Sequence, residues 1–284
     1  MQQIIACIDE STGSTSVEEA AIWLAGQLKS PLLFLHSIEK KPLSAENSDL
    51  SGTIGLGARS KLLAEIATLE QQQAKVALQL GKELLSSAKE KALDSGCEQV
   101  EVLQRHGPFV DTLLSLESTA RLIVVGHSDA DADKKNSILG SHLESLLRQI
   151  NTPVLIAPQQ FVAPKSFMLA YDGRDTTEHA LQRLLSSDWL RGLDCHLVTV
   201  KNKQADQEEK FTQAVERLTE GGFKVTAVYL EGDIFKQLLS YQQIHAVDML
   251  VMGVFAGTRL RQFFVGSNTL KMLENSSVPI LVVK

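Results

Sequence analysis

Apolar and polar positions along this chain follow two periods that alternate in a fixed order. Short continuous apolar runs, at residues 4–8, 32–38 and 122–125, read as strands buried on both faces. Between them, apolar residues recur every three or four positions, the period of a helix packed on one side. Hydroxyl-rich residues 11–16 lead into one such helix at about 17–29, and capping of its start is the expected role of those hydroxyls. The alternation of strand and helix predicts a parallel sheet with helices on both faces.

The pattern is written twice. Residues 4–8 end at Asp9, and residues 167–171 end at Asp172. Hydroxyl residues and a helix follow each, at about 17–29 and 178–189, and then a second strand, 32–38 or 196–200. Arg105-His106-Gly107-Pro108 matches Leu230-Glu231-Gly232-Asp233, each before a short helix. Residues 122–126 match 249–253, Gly140-Ser141 matches Gly266-Ser267, and each half closes on a proline-led strand, 153–157 or 279–283. The linker 158–165 carries Pro158 and Pro164, which predicts domains at 1–158 and 165–284.

The halves differ after their second strand. The first continues into a polar segment, 39–57, and a helical pattern at about 58–95 with an apolar stripe of Leu62, Ile66, Leu69, Val76, Leu80, Leu84 and Ala88. At about 1.5 Å per residue that helix reaches some 55 Å, longer than a small domain needs. Gly81 is a candidate break. The excess predicts either packing on the half's own sheet or a protruding surface for a partner.

Composition then removes function classes. A net charge of −6 argues against a general nucleic-acid binder and against an anionic membrane surface. No apolar run approaches the roughly 20 residues that span a bilayer. The first residues enter a strand at once, without the basic and apolar regions of a secretory leader. Cys7, Cys97 and Cys195 form no Cys-x-x-Cys, so neither a zinc site nor a disulfide framework is expected, and a reduced cytoplasm is the simplest compartment.

Candidate chemistry gathers in the loop after the apolar run 249–252. Gly253 ends the run, Arg259 and Arg261 offer positive charge, and Gly266-Ser267 opens a helix. Bare backbone and free N–H groups at a helix start are what holds phosphate. The matching loop of the first half holds Asp129, Asp131 and Asp133, which repel phosphate and are offset only in part by Lys134 and Lys135. As a calcium loop these aspartates fail, because Lys134 and Gly140 stand where glycine and glutamate are required. A looser cation site of His127, Asp129 and Asp131 is weaker than a solvated acidic loop. Gly52-Thr53-Ile54-Gly55-Leu56-Gly57 lacks the preceding strand of a dinucleotide loop. No Ser/His/Asp or Cys/His frame, Walker lysine or base near Gly266 is present, so no catalytic residue and no metal site is expected.

The ordered set, repeated in one chain and covering nearly all of it, resembles the universal stress protein (UspA) family in a tandem, two-domain form. The resemblance implies two tandem flavodoxin/Rossmann-like α/β/α domains, each with a five-stranded mainly parallel sheet. Their last strands, 153–157 and 279–283, would meet as an intramolecular pseudo-dimer that hides two sheet edges. The family's ATP loop has the form Gly-x2-Gly-x9-Gly-Ser/Thr, which Gly253, Gly266 and Ser267 hold, with Ala256 at the middle glycine. If that position needs a positive φ, the Cβ costs about 1 kcal/mol. The implied second-half site takes ATP, with Mg2+, through Asp172, Val200, Gly253, Ala256, Arg259, Gly266 and Ser267. Asp172 would lie beside the nucleotide and Val200 against adenine. The matching first-half positions are Asp9, Ser37, Gly126, Asp129, Gly140 and Ser141. Asp129 replaces the middle glycine in a loop one residue longer, which marks a degenerate pocket.

The expectation is a cytoplasmic stress-response protein that binds nucleotide or a partner without turning it over, under starvation, oxidative or DNA-damage stress. A module that binds no nucleotide and a slow ATPase are the alternatives. The 58–95 helix is the expected surface for other proteins or for a homodimer.

Overall fold

The computed structural model describes residues 2–39, 56–127, 141–202, 205–254 and 267–284, and of 56–64, 141 and 267 the backbone alone. The first half runs β1 (Gln3–Cys7), α1 (Ser14–Leu28), β2 (Leu32–Ile38), α2 (Leu56–Asp94), β3 (Val100–His106), α3 (Phe109–Leu116), β4 (Ala120–Gly126), α4 (Ser141–Gln149) and β5 (Val154–Ala157). The second runs β6 (Ser166–Ala170), α5 (Asp175–Ser186), β7 (Asp194–Val200), α6 (Gln207–Glu220), β8 (Val225–Leu230), α7 (Ile234–Ile244), β9 (Leu250–Gly253), α8 (Ser267–Asn275) and β10 (Ile280–Val283).

These strands form one ten-stranded sheet in the order β3-β2-β1-β4-β5-β10-β9-β6-β7-β8. Pairing is parallel within each half and antiparallel at the seam, where Ile280, Leu281 and Val282 face Ile156, Leu155 and Val154. The seam strands are buried along their whole length, so the expected junction removes two edges that would otherwise expose unpaired backbone. It also reverses direction. Asp9 and Gly126 therefore lie at one end of the sheet, and Asp172 and Gly253 at the other.

Strand alternation feeds two cores. Ile4, Phe34, Leu122, Phe167 and Leu197 pack under α1, α2, α5 and α6. Ile5, Leu35, Ile123, Met168 and Val198 pack on the other face, under α3, α4, α7 and α8. Both faces are covered, which is why the strands read as unbroken apolar runs. The repeat holds at the backbone. The amide after β1, Ile8, donates to Leu35 O at 3.0 Å, and that of Tyr171 donates to Val198 O at 2.9 Å, which makes Ser37 and Val200 equivalent. Gly107 and Gly232 turn the chain with φ of 137° and 122°, a region that L side chains rarely adopt.

Two expectations change. Gly81 does not break α2, which runs through it without interruption. A Cβ there would collide with Gln104 Nε2 and come within 2.6 Å of His36 Cδ2, so the glycine lets α2 lie close on β2 and β3. Beyond it, Leu85, Ala88 and Ala92 are buried against the sheet, whereas Leu69, Val76 and Leu80 are 56%, 58% and 45% exposed. Packing and protrusion thus belong to different stretches of one helix. The start of α1 is the second change: its N-cap is Gly13 and no side chain caps it. Ser11 instead turns back, its amide donating to Asp9 Oδ1 at 3.0 Å.

Candidate functional site

In each half the winding of the chain reverses beside the first strand. β1 lies between β2 and β4, and β6 between β7 and β9. Loops leave such a point in opposite directions and open a crevice at the carboxyl ends of the strands, where α/β sheets take ligands. Asp9 and Asp172 stand at these two points. Each carboxylate accepts the amide two residues on: Asp9 from Ser11, and Asp172 from Arg174 at 3.0 Å. Asp172 Oδ1 also accepts from Thr177 Oγ1 at 3.0 Å, and Arg174 Nε lies 3.6 Å from Oδ2. The carboxylate is thereby held at the start of α5, only partly buried.

Gly253 ends β9 directly against that start. A Cβ on it would collide with the Thr176 carbonyl, 2.8 Å from its carbon and closer still to its oxygen. The glycine is therefore required by the approach of strand end to helix backbone, whatever the loop beyond it binds. Gly126 is less confined: among the described residues its Cβ would meet Val17 Cγ2 alone, at 3.3 Å.

Val200 ends β7, on the other flank of β6. Its carbonyl accepts from Gln207 Nε2 at 3.0 Å, and the Asn202 amide donates to Gln207 Oε1 at 2.8 Å. Asn202 Nδ2 reaches across to the Asp172 carbonyl at 3.1 Å. Lys210 Nζ donates to the Gly173 carbonyl at 3.2 Å and pairs with Asp206 at 2.8 Å. Behind this edge, Tyr171 donates to Glu178, which also accepts from Arg217 Nη1 at 2.8 Å. Burial and the bond to Glu178 push the Tyr171 phenol well above its ordinary range. Burial alone would raise the Glu178 carboxyl, but the bonds from Tyr171 and Arg217 outweigh it and hold the group below its ordinary value. This network ties the end of β6, α5 and α6 together.

At the opposite end, Ser37 Oγ donates to the Gly107 carbonyl at 2.9 Å, and buried His36 places Nδ1 3.0 Å from the Ile8 carbonyl. Ser14, at the start of α1, has a buried hydroxyl without a hydrogen-bond partner among the described residues. Burial raises all three thiols, Cys195 to about 12, which leaves none as a thiolate at neutral pH. Among the described residues no group of three or more His, Cys, Asp and Glu side chains is arranged to hold a metal ion.

Of the positions expected from sequence, Asp172, Val200 and Gly253 come together at one end of the sheet, and Asp9, Ser37 and Gly126 at the other. Ser267 and Ser141 are the first residues of α8 and α4. Ala256, Arg259, Gly266, Asp129 and Gly140 lie outside the described residues. Sequence reasoning missed Gln207 and Asn202. A glutamine at the first position of a polar helix carries no mark of its inward turn; only its place just after β7 hinted at it.

The universal stress protein family model matches residues 1–158 and 199–284. Universal stress protein Slr1230 of Synechocystis is 31% identical over 287 residues, covering 100% of both chains. Two solved structures share the fold along the whole chain. The universal stress protein of Archaeoglobus fulgidus DSM 4304 superposes with a TM-score of 0.74 at 18% identity, covering 99% of this chain and 98% of that one. A functionally unknown protein, PA1789, of Pseudomonas aeruginosa PAO1 gives 0.61 at 17% identity, covering 100% and 92%.

Proposed function

The chain belongs to the universal stress protein family, and from that premise we propose that it acts by binding a nucleotide, ATP with Mg2+, in its second half. The observation that carries this reading is the shared edge at the second reversal of winding, where Asp172, two residues past the end of β6, lies between the ends of β9 at Gly253 and of β7 at Val200. Asp172 and Val200 would flank the base and ribose. The loop residues Ala256, Arg259, Gly266 and Ser267 would take the phosphates at the start of α8. The degenerate first-half loop, with Asp129, leaves that half as a structural partner. Binding without turnover is the role, in a two-domain cytoplasmic protein divided at 1–158 and 165–284. No helix among the described residues is long and apolar enough to cross a membrane.

Two measurements test the reading. Heating the purified protein should release nucleotide, and millimolar Mg-ATP should raise the melting temperature. Ligand at 100 times its dissociation constant adds about 2.7 kcal/mol of stability. Ser267→Ala should weaken binding while Ser141→Ala should not. No released nucleotide together with no thermal shift would overturn the assignment.

A second reading has its own support. The exposed stripe of Leu69, Val76 and Leu80 on α2 favours a protein partner or a second copy docking along that helix.

A further inference from the structure

Gln207 opens α6, yet its side chain is only 1% exposed and points back at the end of β7. A carboxamide has two N–H donors and an oxygen with two lone pairs. All four are engaged. Nε2 donates to Thr199 Oγ1 at 3.1 Å and to the Val200 carbonyl at 3.0 Å. Oε1 accepts from the Asn202 amide at 2.8 Å and from the Tyr229 hydroxyl at 3.1 Å.

The two backbone partners are a carbonyl at one residue and an amide two residues on. In an extended chain such groups point the same way and form a two-point reading edge. A planar group that sets an N–H donor beside an acceptor satisfies that edge. The amino group and ring nitrogen of adenine's Watson–Crick edge have this arrangement, and so does a carboxamide. The equivalent residue in the first half, Ser37, sits in a different setting, its hydroxyl turned to Gly107. The helix following β2 passes His36 there through Gly81.

We propose that Gln207 is a built-in competitor for the base. Its carboxamide holds the Val200 carbonyl and the Asn202 amide as an adenine edge would, and a nucleotide's base is read only when that amide turns away. The inference rests on the second half being the nucleotide site, and it adds a regulating element to it. Displacement breaks four hydrogen bonds of a buried amide, so the closed form is favoured and the affinity for ATP is correspondingly reduced. Tyr229, whose ring packs 5.8 Å from that of Phe211, is the positioning residue: its hydroxyl fixes Oε1. The base is selected as well. With the ribose held beside Asp172, guanine presents acceptor and donor in the reverse order along the same edge, so it meets the carbonyl and the amide out of register.

The test is calorimetric binding of Mg-ATP, Mg-GTP and inorganic tripolyphosphate to the full chain and to Gln207→Ala and Tyr229→Phe. Gln207→Ala should bind ATP at least about tenfold more tightly, with no gain for GTP and no change for tripolyphosphate, which has no base. Tyr229→Phe removes one hydroxyl and leaves the packing, and should give a smaller gain, about two- to fivefold, so the proposal stays testable if Gln207→Ala folds poorly. Wild-type binding that depends on Ser267 but is unchanged or weaker in both variants, with far-UV circular dichroism intact, would overturn the inference and leave the nucleotide reading standing. Absence of ATP binding in every folded form would overturn the nucleotide reading and this inference with it.

Discussion

Nε2 of His127 lies 2.9 Å from the carbonyl oxygen of Leu273, so the residue after β4 in one half holds the last turn of α8 in the other. A carbonyl only accepts, which places the ring proton on Nε2. The bond crosses the seam because β5 and β10 run antiparallel, bringing the carboxyl end of the first half's strands beside the C-terminus of α8. A donor there satisfies a carbonyl that the helix leaves open. The equivalent residue in the second half is Val254, whose amide bonds to Val283 as that of His127 does to Ala157, but whose apolar side chain cannot repeat the cross-seam contact. His127→Ala should cost about 1 kcal/mol in urea unfolding and speed amide exchange in the last turn of α8. Unchanged exchange there would show that the bond does not form in solution.

The two strand-end glycines should respond differently to alanine. At Gly253 the new methyl meets the backbone of Thr176, which cannot yield without moving the start of α5. Gly253→Ala should therefore destabilise by about 2–3 kcal/mol, the upper part of the range for forced overpacking, because backbone and not a side chain must move. At Gly126 the contact is 3.3 Å to a valine methyl that shifts by a few tenths of an ångström, and Gly126→Ala should cost under about 1 kcal/mol. Denaturant melts of both variants compare them directly. Equal losses would mean that the approach of β9 to α5 is looser than found.

That contrast also shows what the sequence could and could not convey. The doubled order of strands and helices was legible because burial on both faces leaves unbroken apolar runs such as 122–125, whereas the seam between the two closing strands came from the family resemblance and not from the residues themselves. Side-chain roles were less legible. Gly253 fits a phosphate loop and a tight backbone approach equally well, and only the packing of β9 on α5 reveals the second. Gly81 looks like a helix breaker, yet what it accommodates is the side chains of Gln104 and His36, on the two strands beneath it. Ser11 looked like a cap but serves Asp9. Gln207 carried no mark beyond its place after β7, because nothing local distinguishes an amide folded inward from one in water.

The length of α2 divides into a structural and an exposed stretch, and the division is measurable. Leu69→Lys and Val76→Lys lie on the exposed stretch, and each should change stability by less than about 0.5 kcal/mol. Leu85 is buried under the same helix, and Leu85→Ala should cost about 2–5 kcal/mol. Urea unfolding of the three variants suffices. A loss above about 1 kcal/mol at Leu69 or Val76 would mean that this stretch is covered in solution, and sedimentation would then tell whether a second copy covers it.

Acid should weaken the fold through His196 before it reaches the carboxylates. Burial, and then the neighbouring charge of His245, hold the His196 ring below its ordinary pKa; Asp194 and Asp248 pull it up and Lys224 pushes it down, without reversing the direction. Nδ1 lies 2.9 Å from the Tyr241 hydroxyl, and the Tyr241 ring is 4.2 Å from that of His245, so the corner is packed on the neutral ring. Above about pH 6.5 the ring is neutral in folded and unfolded chains alike, and its contribution is fully present. As pH falls below that value the unfolded chain takes up the proton first, and stability rises with pH wherever the unfolded state binds more protons. Stability is therefore lost on acidification from the ordinary histidine pKa down to the depressed one, and no further from this group below it. His196→Gln keeps a partner for Tyr241 and removes the titration. The fall in melting temperature between pH 7.5 and 5.5 should be smaller in that variant than in the wild type. An identical fall in both would place the acid sensitivity elsewhere.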